Sequence, residues 1–207
     1  MPRRRLVAAA LLTLGLCVPA GAQAADCAGA DVVPTADNAA AVSRATLCLL
    51  NQERAAAGAA ALTENGRLTR ASAAYSRRMV AEEFFGHEAP DGTTLVDRLA
   101  GAGYDVGSAP VIGENIGWGE SILATPRAMV QAWMASPGHR ENLLSRDYTQ
   151  IGLGIALGTP GEGLDGATYT TDFGSGKRAA RHASLRHATN RPLRRTPRAR
   201  AARSRRR

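Results

Sequence analysis

Apolar residues recur with two different periods along the chain, and the change of period marks its organisation. Over Asn38–Ala57 the positions Val42, Ala45, Leu49 and Arg54 share one face at helical spacing, and Gly58 ends the run. Glu64–Glu83 repeats the pattern through Leu68, Ala71, Tyr75 and Met79, which predicts a second amphipathic helix after a short turn. Thr94–Ala100 reads as a short third helix stopped by Gly101 and Gly103, and Thr125–Ala135 as a fourth with Pro126 in its first turn. The strand candidates come late: Glu114–Trp118, Gln150–Leu157 and Thr168–Phe173, each bounded by Gly, Pro or Asp. Helices first and strands afterwards predict an α+β domain with a small antiparallel sheet covered by helices, not the regular alternation of a parallel fold. The run Gly152-x-Gly154-x-x-x-Gly158 has phosphate-loop spacing, but it leads into Thr159-Pro160-Gly161 and no helix follows, so that reading is discarded.

Two flanking segments fall outside this pattern. Arg3, Arg4 and Arg5 precede the apolar stretch Leu6–Val18, and Pro19, Gly21 and Ala22-Gln23-Ala24 follow, the three-part order of an export signal removed after Ala24. The stretch is too short and too broken by Pro and Gly to span a bilayer. Leu16 before Cys17 does not fit a lipoprotein cleavage site, which needs a small residue there. At the other end, residues 177–207 carry thirteen basic residues, no acid and no aromatic, a composition that predicts a disordered tail. The resulting division is signal 1–24, lead-in 25–42, folded domain 43–176 and Arg-rich tail 177–207.

The net charge of +8 over 207 residues suggests a nucleic-acid partner until the charges are located. With both ends set aside, residues 25–176 hold ten basic and eighteen acidic side chains and are acidic overall. A folded surface that grips phosphate has the opposite sign. The tail lacks the aromatics on which bases stack, and export separates it from chromosomal DNA, so no nucleic-acid partner is expected. Anionic envelope polymers or lipid headgroups suit the tail better. Signal removal leaves Cys27 and Cys48 in an oxidising compartment, which favours one bridge between them; two free thiols, or Cys48 as a small buried residue, are the alternatives.

Chemistry is sought at the histidines inside the domain. His87 ends the second helix after Phe84-Phe85-Gly86, and His139 follows Ser136-Pro137-Gly138, a turn that releases the fourth helix. Functional side chains converge at such element ends. For Ser136 a helix cap with Pro137 in the first turn is favoured over a nucleophile, which would need an adjacent base held by a third group.

Taken in order, Leu50-Asn51-x-x-Arg54-x-x-x-Gly58-x-x-x-Leu62, Leu68-x-x-Ala71-x-x-Tyr75-Ser76-x-x-Met79, Phe85-Gly86-His87, Gly113-Glu114-Asn115-Ile116 and Trp133-Met134-x-Ser136-Pro137-Gly138-His139-Arg140-x-Asn142 resemble the bacterial branch of the CAP superfamily of SCP-domain proteins. The likeness runs on through Gly152-x-Gly154 and Tyr169-x-x-x-Phe173-Gly174, so it spans about residues 43 to 175. It implies an α-β-α sandwich around a central antiparallel sheet. It also implies a shallow cleft where His87, Glu114 and His139 converge, around a divalent metal such as Zn2+ in some relatives. The family's second carboxylate, shortly after the tryptophan, is replaced here by Ser136. Two imidazoles and one carboxylate make an open zinc site. The alternative role for Glu114 is a hydrogen-bonded brace before a strand, which Asn115 also suits. The resemblance implies, first, a secreted binding module for lipid or sterol, cell-wall material or protein partners. An extracellular metal-assisted hydrolase is second, and an envelope-associated structural or adhesive protein third.

Overall fold

The computed structural model describes residues 26–107, 111–161 and 165–175. The expected export signal and Arg-rich tail lie outside the described residues. The folded chain runs α1 (Ala39–Ala56), β1 (Thr63–Glu64), α2 (Gly66–Ala81), α3 (Leu95–Gly101), β2 (Ile112–Glu120), a 3-10 turn (Ser121–Ala124), α4 (Pro126–Ala135), α5 (Pro137–Leu144), β3 (Gln150–Leu157) and β4 (Gly166–Gly174).

Local chemistry sets the helix starts. Asn65 caps α2 by accepting from the backbone N–H groups of Arg67 and Leu68. Thr94 and Asp97 form a reciprocal capping box at α3, and Thr125 caps α4 ahead of Pro126. The stretch after Ser136 departs from the expected turn, because Pro137 opens a further two-turn helix, α5. Ser136 stands at the N-cap position of α5, but its hydroxyl makes no capping bond. Pro137 needs no N–H partner there and brings its own helical φ.

The four strands lie in the order β1-β3-β4-β2. The expected antiparallel trio is present, β4 pairing with β3 on one side and β2 on the other. Two-residue β1 adds a parallel edge through Thr63 and Glu64 opposite Gln150 and Ile151, so the sheet is mixed. Helices cover both faces, giving the three-layer sandwich: α2 lies along β3 and β4 with α3 beside it, while α1, α4 and α5 pack on the other side. Phe173, Tyr169, Ile151, Leu50 and Trp133 are buried in the main core on the α1/α4 side. Gly152 and Gly154 let α2 come this close, since a Cβ at either would run into the backbone at Leu68 and Ser72 respectively. That close approach, not phosphate binding, accounts for the glycine pair.

The segment before α1 is fastened to the body. Cys27 and Cys48 form a disulfide with Cα atoms 5.7 Å apart. Arg127 Nε donates to Asp31 Oδ1 at 2.7 Å, and the Arg127 backbone N–H donates to Ala30 O at 2.9 Å. In α1, fully buried Arg54 donates to the carbonyls of Ala60, Leu143, Ser145 and Tyr148, so a cation on the apolar stripe ties α1 to the end of α5. Burial lowers its pKa from the usual guanidinium value.

Candidate functional site

The sheet order makes β2 an edge strand, and the site is built where the helical layers reach it. Its carbonyls at Ile112, Glu114 and Ile116 are taken by side-chain donors: Tyr148 Oη at 3.1 Å, Asn142 Nδ2 at 3.0 Å and Trp133 Nε1 at 3.0 Å. A strand edge that would otherwise be open to pairing is thereby fixed in place.

Alternation along β2 sends Glu114 toward α2 and Asn115 toward α5. The Glu114 side chain is only 3% exposed, against 59% for His87. His87 Nδ1 lies 2.8 Å from Glu114 Oε1, and Arg98 Nη2 donates to Glu114 Oε2 at 2.6 Å. A carboxylate only accepts, so Nδ1 carries the hydrogen and Nε2 is the nitrogen turned outward. Arg98 extends the clamp: its Nη1 donates to His87 O at 3.0 Å, and its guanidinium carbon stands 3.4 Å above the Tyr75 ring. Tyr75 Oη in turn donates to Gly86 O at 2.8 Å. The loop that carries His87 is therefore held by α2, α3 and β2 together.

On the other face, Asn115 is fully buried and its Nδ2 donates to His139 O at 3.0 Å, while its Oδ1 accepts from Asn142 Nδ2 at 3.0 Å. This braces the first turn of α5 against β2. Partial burial, and then the nearby His87, lower the His139 pKa below the ordinary imidazole value. The two histidines thus feel each other electrostatically, one from each helical layer.

Beneath Glu114 lies a group absent from the expected set. Asp172 is the cross-strand partner of Glu114, fully buried, with Oδ2 accepting from Ser72 Oγ at 2.8 Å. Its Oδ1 meets no donor. Burial first, and the Glu114 charge second, push its carboxyl well above the usual range. A proton on Asp172 turns the contact between two carboxyl groups into a hydrogen bond to Glu114, so Arg98 faces one negative charge instead of two.

Of the residues expected at the site, His87 and Glu114 touch, His139 stands within electrostatic reach of His87, and Asn115 positions the His139 backbone. No hydrogen bond among the described residues joins Ser136 to either histidine. Zinc sites of the catalytic type use three protein ligands. Among the described residues no group of three or more His, Cys, Asp and Glu side chains is arranged to hold a metal ion. Glu114 is the reason: both of its oxygens are engaged, so it stands behind His87 as an orienting carboxylate, and the residues present do not fit a three-ligand site.

Arg98 and Asp172 went unnoticed in the sequence because each looks ordinary locally. Arg98 sits in a short helix beside the exposed Asp97, and Asp172 in a strand rich in threonine. An acid inside the strand candidate Thr168–Phe173 was the available signal, since a strand buried on both faces leaves a charge no wet side.

The model of the cysteine-rich secretory protein family, CAP, matches residues 47–173, more than half of the chain. The chain belongs to the CAP family. It is 35% identical over 106 residues to the uncharacterized protein YkwD of Bacillus subtilis, covering 51% of this chain and 39% of that protein. It is 36% identical over 81 residues to the membrane protein YlbC of the same organism, covering 39% of this chain and 22% of that one. The chain thus spans well under half the length of either curated relative. Among solved structures it resembles an extracellular protein containing a SCP domain from Bacillus anthracis, with a TM-score of 0.54, 26% identity, and coverage of 68% of this chain and 44% of that one. An outer surface protein of Borrelia burgdorferi shares the fold, with a TM-score of 0.51 at 23% identity over 62% of this chain and 87% of that one.

Proposed function

We propose that the protein is an extracytoplasmic binding module, engaging lipid, cell-wall material or a protein partner through the cleft flanked by His87 and His139. The observation that carries this reading is the commitment of Glu114. Its carboxylate is buried and bonded on both oxygens, so it orients an imidazole and is not available to attack a substrate or complete a metal site. The residues available for recognition are an oriented imidazole on the exposed His87, a second and drier imidazole on His139, and the exposed Phe85 two residues before His87. Such a set recognises by hydrogen bonding and apolar contact.

The location rests on the export-type N-terminus, and the B. anthracis relative is itself described as extracellular. No helix among the described residues is long and apolar enough to cross a membrane. The basic segment 177–207 supplies a second, salt-sensitive attachment to anionic envelope polymers.

Retention on isolated cell envelopes tests both parts, alongside turnover of ester, peptide and cell-wall substrates. Full-length protein is expected to be retained without turnover. Retention at a salt concentration that screens the tail should fall about tenfold in the His87→Ala/His139→Ala double variant. Truncation after Gly176 should remove only the low-salt component. Turnover that disappears in His87→Ala would replace this reading with the hydrolase, which the outward Nε2 of the His87–Glu114 pair favours as second choice.

A further inference from the structure

Between α2 and α3 lies an open pocket of ≈ 370 Å³, lined in part by Tyr75 and Arg98. Ala71, Ala74 and Ala102 form its apolar walls, and Arg70, Arg78 and Arg98 edge it. Along α2 the positions 70, 71, 74 and 78 fall on one helix face, so the pocket is written into the helix and not into a loop.

The three guanidinium groups differ in what they already hold. Arg78 is paired with Glu82 Oε1 at 2.8 Å and Asp91 Oδ2 at 2.9 Å. Arg98 is paired with Glu114, but its Nε is buried without an acceptor, although its side chain is only 7% exposed. Arg70 donates to Ala102 O at 3.1 Å and, among the described residues, has no carboxylate within ion-pairing distance. The pocket therefore has one positive charge without a carboxylate partner, that of Arg70. A planar monoanion with a small apolar body fits these terms.

The geometry points to a carboxylate-binding site between α2 and α3, in which the acid group lies against Arg70 while a small apolar body fills the space beside Ala71, Ala74 and Ala102. The acid is either a free short-chain carboxylate or the C-terminal carboxylate of a peptide. Forked guanidinium–carboxylate bonding gives the selectivity for the charged end, and the alanine walls limit the size of the rest. This site shares Tyr75 and Arg98 with the clamp behind His87 but does not rest on the cleft reading.

Backbone amide NMR shifts of the full chain, titrated with isovalerate, its neutral amide isovaleramide, and acetyl-alanyl-alanine, test it. Isovalerate or the dipeptide should give saturable shifts at Arg70, Ala71, Ala74, Gly101 and Ala102 below roughly 10 mM, with isovaleramide at least about tenfold weaker. Arg70→Gln should weaken the acids about tenfold, and Ala74→Trp, a change at an exposed helix position that fills the pocket, should abolish the shifts while circular dichroism shows a folded chain. Tighter binding of the dipeptide assigns a peptide end as the source, and tighter binding of isovalerate assigns a free acid. Equal binding of the acid and its amide, unchanged shifts in Ala74→Trp, or only linear shifts spread over the chain would overturn the assignment.

Discussion

Glu114 is the carboxylate paired with Arg98, and Asp172 determines how much negative charge Arg98 must balance. Both carboxyl groups are buried, at 6% and 0% exposure, with a single guanidinium beside them. Because the folded state raises the Asp172 pKa, it binds a proton that the unfolded chain releases at lower pH. The contribution is complete below the unfolded value of about 3.9 and is lost as pH rises through the folded value. Asp172→Asn keeps an acceptor for Ser72 and a donor for Glu114 at every pH. Urea melts should therefore place the variant within about 1 kcal/mol of wild type near about pH 4, with the difference moving in its favour as pH rises. A gap that stays constant, or widens against the variant, would show that Asp172 is ionised in the folded protein.

At the scale of elements, the contact of α2 with β3 decides how close its helical layer comes to the sheet. Gly154 faces the α2 backbone at Ser72 with no room for a Cβ. Gly154→Ala should cost about 3 kcal/mol in a urea melt, the upper part of the overpacking range, because the obstacle is backbone and cannot rotate away. A loss below about 1 kcal/mol would mean that α2 slides freely over the sheet. The elements themselves were largely legible in the chain: four helices and three strands follow from spacing and punctuation, with boundaries off by a few residues at β2 and β4. What escaped was set by tertiary contact. The pairing of Thr63 and Glu64 with β3 is too short to leave a period, and α5 hides behind a Ser-Pro-Gly that reads as a turn until Pro137 is seen to start a helix. The site was half legible for the same reason. His87, Glu114, Asn115 and His139 are recognisable by motif, whereas the roles of Arg98 and Asp172 exist only after α3 and β4 have been brought beside Glu114.

For the whole molecule, one covalent link fastens the lead-in to α1, and one carboxylate-centred clamp joins α3, the His87 loop and β2. The Cys27–Cys48 bridge closes a loop of 21 residues, worth about 3 kcal/mol in the chain-entropy model. The Cys27→Ser/Cys48→Ser protein should lose about that amount, and reductant should lower the melting temperature of wild type to match it. A melt insensitive to reductant would mean that the Arg127 contacts and the burial of Ala30 hold the lead-in without the bridge. The clamp is the central claim, since the outward nitrogen of His87 exists as described only if Glu114 is its orienting partner and not a ligand or nucleophile. The most direct test is the imidazole 15N spectrum of His87 in its neutral form, assigned with a His87→Ala control. Free histidine favours the hydrogen on Nε2. In this protein the hydrogen is expected on Nδ1, with Nε2 unprotonated, and Glu114→Ala should return His87 to the free-histidine pattern. A neutral His87 carrying its hydrogen on Nε2 in the wild-type protein would contradict the clamp and the binding cleft built on it.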